Sequence, residues 1–159
     1  MADIKLQALD AEDLAVLSAL VQDAVVRSAD IAYLREPRRL ALVCNRFDWD
    51  SATTTSGKAS YERRRAGLRV ERVTGARFKG FGPASEAAVL VLLAVTFTPT
   101  VAPAGVIEFQ FAAGAAIRLD VECIELELKD LGAVWSTTLK PDHTGADSVA
   151  ADPAPKSGS

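Results

Sequence analysis

The sequence predicts an α+β fold: a single domain with a mainly antiparallel, curved sheet of about six or seven strands, an N-terminal amphipathic helix and a C-terminal helix. Three observations predict it. An apolar period of three and four residues occupies Leu14, Leu17, Val21 and Val25; two-residue alternation recurs as far as Val121; and glycines and prolines punctuate the alternating stretches. With 159 residues, 49% hydrophobic and 25% charged, the chain has the material for one core.

The elements follow in order. Ile4, Leu6 and Ala8 alternate with Lys5 and Gln7 as a short strand. Asp10 and Asp13 then stand as N-cap and third helical residue before the apolar period, which predicts a helix through about Val26. Ile31 and Tyr33 lead into a Glu36-Pro37-Arg38 turn, and Arg39 to Trp49 alternates again, so a hairpin follows. Asp50 to Ser60 has no apolar period and is expected to be a flexible surface connection. Leu68 and Val70 mark another strand, Ala87 to Phe97 a central one, and Val106 to Phe111 one with Ile107, Phe109 and Phe111 inward. After Ala113-Gly114, Ile117, Leu119 and Val121 form a half-buried strand.

The next residues fit two templates. Ile124, Leu126 and Leu128 suit a strand, whereas Ile124, Leu128 and Leu131, with Glu125 four residues before Lys129 and Gly132 as a stop, suit a helix. The helix is the expectation taken. A terminal helix closing a curved sheet is the arrangement of pleckstrin-homology-like barrels, which is one version of this fold. The domain is expected over residues 1–138. The Pro/Gly/Ser/Asp-rich stretch 139–159 is expected to be a disordered tail, because it lacks apolar residues to offset its ordering entropy.

Composition excludes much of the common chemistry. The one histidine, His143, falls in that tail, so a catalytic triad, a two-histidine zinc helix and an iron facial triad each lack a necessary member inside the domain. Cys44 and Cys123 lie far apart in apolar surroundings and read as reduced, buried and inert. Thr55-Ser56-Gly57-Lys58 is followed by Ala59 rather than Ser or Thr, and Gly80-Phe81-Gly82 by Pro83, so neither is a phosphate-binding loop. Asp48 with Asp50, and Glu122 with Glu125, have no calcium-loop pattern around them and read as solvated surface. No cofactor, catalytic residue or metal ligand is expected. The first residues lack signal-peptide order and the longest apolar run, Ala87 to Val95, is too short to span a bilayer, so the expected address is the cytoplasm, off the membrane.

Charge is distributed unevenly. Arg63, Arg64, Arg65, Arg69, Arg72, Arg77 and Lys79 stand against Glu62 and Glu71, whereas residues 118–130 carry Asp120, Glu122, Glu125, Glu127 and Asp130. If residues 63–73 are extended, Arg63, Arg65 and Arg69 share one face with Gly67 and Glu71; Arg64 and Arg72 share the other with Ala66, Leu68 and Val70. A row of guanidinium groups can grip carboxylates or phosphates bidentately. The competing reading is that these arginines lie on the outer sheet face and pair with the acidic segment. In Asn45-Arg46-Phe47-Asp48-Trp49, Arg46 and Asp48 are expected as a surface pair over two core aromatics.

Several stretches resemble an uncharacterised bacterial family, domain of unknown function 2948: Leu9-Asp10-Ala11-Glu12-Asp13-Leu14, Leu20-Val21-Gln22-Asp23-Ala24-Val25, Asn45-Arg46-Phe47-Asp48-Trp49, Arg63-Arg64-Arg65 and residues 114–124. The resemblance covers nearly everything before the tail and implies no activity, cofactor or catalytic residue. The expected function is a non-catalytic binding or protein-interaction module, with Arg46, Asp48, Arg63, Arg64, Arg65 and Arg69 as candidate contact residues. The alternatives are a small histidine-independent enzyme acting on an anionic metabolite, and a homo-oligomeric structural protein. The partner is then a protein or an anionic small molecule, while nucleic acid is disfavoured by the acidic whole and the scarcity of aromatics among the arginines.

Overall fold

The computed structural model describes residues 4–55, 58–82 and 88–138; side chains of residues 48–62 and 133–138 are outside that description. The chain forms β1 (Lys5–Ala8), α1 (Ala11–Leu20), β2 (Val25–Leu34), β3 (Arg39–Thr55), β4 (Lys58–Val70), β5 (Val73–Lys79), β6 (Val89–Pro99), β7 (Gly105–Phe111), β8 (Ala116–Val121) and β9 (Leu126–Thr138). The strands make a nine-stranded sheet in the order β1-β9-β4-β3-β2-β6-β7-β8-β5, every pairing antiparallel.

Two devices fold this sheet over its own core. The start of β6 pairs with β2 and the remainder with β7, so one strand serves both halves. On the other side, β4 continues through Glu71 and Arg72 into β5, and β8 continues through residues 122–125 into β9. The two bent runs stay paired, β4 with β9 and β5 with β8. The inner face is built by alternation: Leu40, Leu42 and Cys44 on β3, Ala66, Leu68 and Val70 on β4, Ile107, Phe109 and Phe111 on β7, and Leu126 and Leu128 on β9 are all buried.

Helix α1 starts where expected. The Asp10 carboxylate accepts from the Asp13 amide at 2.8 Å and Asp13 accepts from the Leu9 amide at 3.2 Å, and Leu14 and Leu17 pack inward against β6 and β1. It ends at Leu20 rather than near Val26, because Asp23 turns the chain at φ 67° and Val25 and Val26 enter the ladder with β3 and β6. No helix among the described residues is long and apolar enough to cross a membrane.

The fold expectation is corrected in three places. The described residues form nine strands, not about six or seven, with α1 as the one α-helix among them, so the architecture is an almost wholly antiparallel sheet rather than the expected α+β domain. Residues 126–138 are strand β9, paired with β4 and β1, so the helix expected there is replaced by a strand and, among the described residues, no C-terminal helix closes the sheet in the pleckstrin-homology manner. The helical template relied on Leu131, which is 48% exposed; Leu126, Leu128 and Asp130 face inward with period two, and Gly132 serves a bulge at φ 97° instead of a helix stop. Finally, the stretch expected as a connection continues the β3–β4 hairpin, with Thr53 opposite Ser60 and Thr55 opposite Lys58. Its threonines favour extended backbone although no apolar alternation marks it. The tail expected beyond residue 138 lies outside the described residues.

Candidate functional site

Strand register sorts the candidate residues into three places. On β3, the inward parity of Leu40, Leu42 and Cys44 carries on to Arg46, which is 2% exposed; Phe47 therefore points outward, the reverse of the expected arrangement. Arg46 lies opposite Arg64, also buried, and the neighbouring row is Cys44, Ala66 and Asp130. Ala66 leaves room for Arg46 to reach diagonally over β4. Its Nε and NH2 groups donate to the two Asp130 carboxylate oxygens at 2.9 and 2.8 Å. Asp130 also accepts from the Ile4 amide at 2.9 Å. Burial alone raises the Asp130 pKa, but the hydrogen bonds from Arg46 and Ile4 and the charges of Arg46 and Arg64 outweigh it, holding the carboxyl below its ordinary value. Cys44, beside this cluster, is pushed up to about 12 by burial, so it stays a thiol; Cys123 is only part-buried.

The outer face of β4 carries Arg63 and Arg65. The Arg63 guanidinium stacks 4.5 Å from the centroid of Phe47, burial lowers its pKa, and its Nε has no hydrogen-bond partner among the described residues. Arg65 is exposed. Of Asp48, the structure describes the backbone pairing with Glu62, and its side chain lies outside the described residues. Arg63, Arg65 and Arg69 do share a face, yet Arg69 stands two residues beyond Gly67 and belongs to a different group of charges.

That group lines a cleft of about 420 Å³ where the β2–β3 turn, the β4–β5 corner and the β8–β9 corner meet. Backbone bonds stitch the corner: Val73 donates to the Arg38 carbonyl, Glu122 to that of Arg72, and Glu71 to that of Glu125, at 2.9–3.1 Å. Two chains of ion pairs run over it. Arg39 grips Glu71 through Nε at 2.9 and 3.1 Å, Glu71 also takes Arg69 at 3.1 Å, and Arg69 bonds Glu127, which Lys5 approaches at 3.7 Å. Arg38 meets Glu122 at 2.9 Å, and Arg72 lies 3.9 Å from Glu122 and 3.2 Å from Glu125. The Arg72 pKa is raised, chiefly by the hydrogen bond to Glu125. Arg77 likewise pairs with Asp120 at 3.2 Å.

The basic and acidic segments seen in the sequence thus meet within one chain, because β4 lies against β9 and β5 against β8. Asp130, Arg38, Arg39 and Arg72 were missing from the sequence candidates, and Glu122 and Glu125, expected as solvated surface, line the cleft. The available signal was the charge polarity itself, and the pairing of Arg69 with Glu127 across the ladder completes it. Among the described residues no three His, Cys, Asp or Glu side chains converge as metal ligands.

Backbone conformation singles out two of these residues. Arg38 and Arg72 adopt φ of 71° and 61°, a left-handed region in which glycine is at ease and a side chain is not, yet each side chain is 57% exposed in the cleft. Replacing Arg38 by Gly is expected to leave stability unchanged or raise it by up to about 1 kcal/mol, since the released backbone strain exceeds an exposed ion pair. Urea midpoints of Arg38→Gly and wild type check this; a clear destabilisation would make Arg38 a structural residue.

A family model described as Protein of unknown function (DUF2948) matches residues 4–143. No curated protein and no solved structure matches the chain.

Proposed function

Because the chain belongs to this DUF2948 family, whose description brings no activity with it, we propose from the site itself that the protein is a non-catalytic binding module docking a partner protein on the charged cleft. The observation that carries the proposal is the pair Arg38 and Arg72: two exposed arginines held in left-handed backbone conformations in one cleft. Residues held in sparsely populated backbone regions cluster at binding and switch sites, and here two of the four such non-glycine residues among the described ones share one cleft.

The nature of the partner follows from the charges. Arg38, Arg39, Arg69 and Arg72 already face Glu71, Glu122, Glu125 and Glu127, so a small anion entering the cleft must displace carboxylates from their arginines. A protein surface carrying both signs can exchange pairs one for one, which favours specificity and encounter rate over raw affinity. The same intrachain pairing removes the reason for two copies to meet through their basic and acidic segments.

Capture from the native cells tests the proposal. A tagged wild-type chain is expected to retain a protein partner in low salt and lose it as salt rises. The double variant Arg38→Glu, Arg72→Glu is expected to weaken capture about tenfold or more with an unchanged far-ultraviolet circular dichroism spectrum. Retention of the partner by the double variant, or a wild-type chain that captures no protein, would overturn it.

A further inference from the structure

Strand β5 ends the sheet, with β8 as its one neighbour among the described strands. Its free side is not simply open to solvent. Residues 73–76 form the floor of a groove of about 480 Å³ whose wall is Tyr33, Arg35 and Arg38 from the end of the β2–β3 hairpin. The groove begins where the Val73 amide donates to the Arg38 carbonyl at 3.1 Å, so the ladder is started there and not continued. Native edges are commonly blunted by charges and bulges: β5 carries Arg77 and Lys79 in its second half and a register shift between Val73 and Gly75, whereas Val73, Thr74, Gly75 and Ala76 along the groove bear no charge.

We infer that this edge receives an extended acidic segment of a protein partner, added antiparallel or parallel to β5 as a further strand, with Arg35 and Arg38 engaging its carboxylates. The inference rests on the binding-module reading and names the partner's chemistry. Main-chain bonding along an exposed edge supplies affinity, and side-chain chemistry alongside supplies selectivity. The groove supplies the selectivity through charge. Arg35 is exposed and enters no ion pair among the described residues, Lys79 likewise, and Arg38 stands between this groove and the charged cleft, lining both. A second copy of β5 is a poor occupant, because its sequence VTGARFK brings no carboxylate to Arg35 and Arg38.

The test uses three synthetic hexapeptides of alternating glutamate and valine: one unmodified, one N-methylated on the odd residues, and one on the even residues. The full chain is followed by amide NMR. The unmodified peptide, up to about 1 mM, is expected to shift the amides of Thr74 to Lys79 and to protect those among them that point away from β8. One methylated peptide is expected to lose about tenfold or more in affinity while the other keeps it, since a strand bonds its neighbour through alternate residues. Arg35→Glu should weaken the unmodified peptide by a similar factor, and a lysine–valine peptide should not bind. β5 amides that do not move, equal binding of both methylated peptides, or protection that depends on dimerisation of the chain would each overturn the inference. The cleft reading fails separately, in capture by the Arg38 and Arg72 double variant, so the two failures are told apart.

Discussion

Asp130→Ala is expected to lower folding stability by about 3–5 kcal/mol, a large fraction of the total for a domain of this size. The substitution deletes the carboxylate that both ends of the Arg46 fork hold, and leaves a guanidinium that is 2% exposed without its counterion, beside buried Arg64. Removing both charges is a different matter. Arg46→Met with Asp130→Leu replaces the pair by apolar groups and is expected to recover a large part of the loss, because most of the cost of the single change is an uncompensated charge. Urea unfolding of the three chains decides it, and a double variant as unstable as Asp130→Ala would show that the pair is not the source.

The same carboxylate makes stability depend on pH with a defined sign. The folded Asp130 has a depressed pKa, so its contribution is complete above the unfolded value of about 3.9 and is lost as pH falls through the lower folded value. Urea midpoints measured from neutral pH downward should fall below about pH 4 in wild type. In Asp130→Asn the decline should be shallower from a lower starting point.

Gly105→Ala is the second large effect. Gly105 opens β7 opposite Pro99 and is buried; a methyl group there would run into the Phe97 ring and come within 2.6 Å of the Thr98 carbonyl oxygen. The ring can turn, but the carbonyl belongs to the neighbouring strand, so relief requires β6 and β7 to separate. The expected cost is about 2–3 kcal/mol, at the upper part of the range for overpacking. Gly114→Ala provides the contrast: its methyl would meet nothing within 4 Å, so any cost there comes from its φ of 81° alone. Thermal melts of the two variants separate crowding from backbone strain.

The sequence was legible where one face of an element is apolar and the other is not. The Asp10 cap with Leu14 and Leu17, the hairpin about Glu36-Pro37-Arg38, and the inward Ile107, Phe109 and Phe111 could be read because burial imposes a period. Legibility failed where the inward face is polar. Arg46 obeys the parity of Leu40 and Cys44, yet an arginine invites an outward reading, and with Arg46 turned outward Asp130 has no visible reason to face inward on a strand. Once Asp130 is lost from the pattern, Ile124, Leu128 and Leu131 make a plausible helix. The cleft was half legible: opposite charge runs announce a meeting, but Arg38 and Arg39 reach it only because the hairpin end folds over the corner, which no local spacing encodes.

The buried pair also sets a schedule for making the protein. Asp130 follows Arg46 by 84 positions and Ile4 by 126. At the usual pace of translation, the ribosome takes roughly 4 to 17 s to add the 84 residues from Phe47 through Asp130. Throughout that interval the Arg46 end of the β3–β4 hairpin has no Asp130 to close over it, and β1 has no β9 to pair with. The β2–β3 hairpin can form early, but the closed sheet cannot exist on the nascent chain until β9 has cleared the exit tunnel, so maturation is gated by the synthesis of β9.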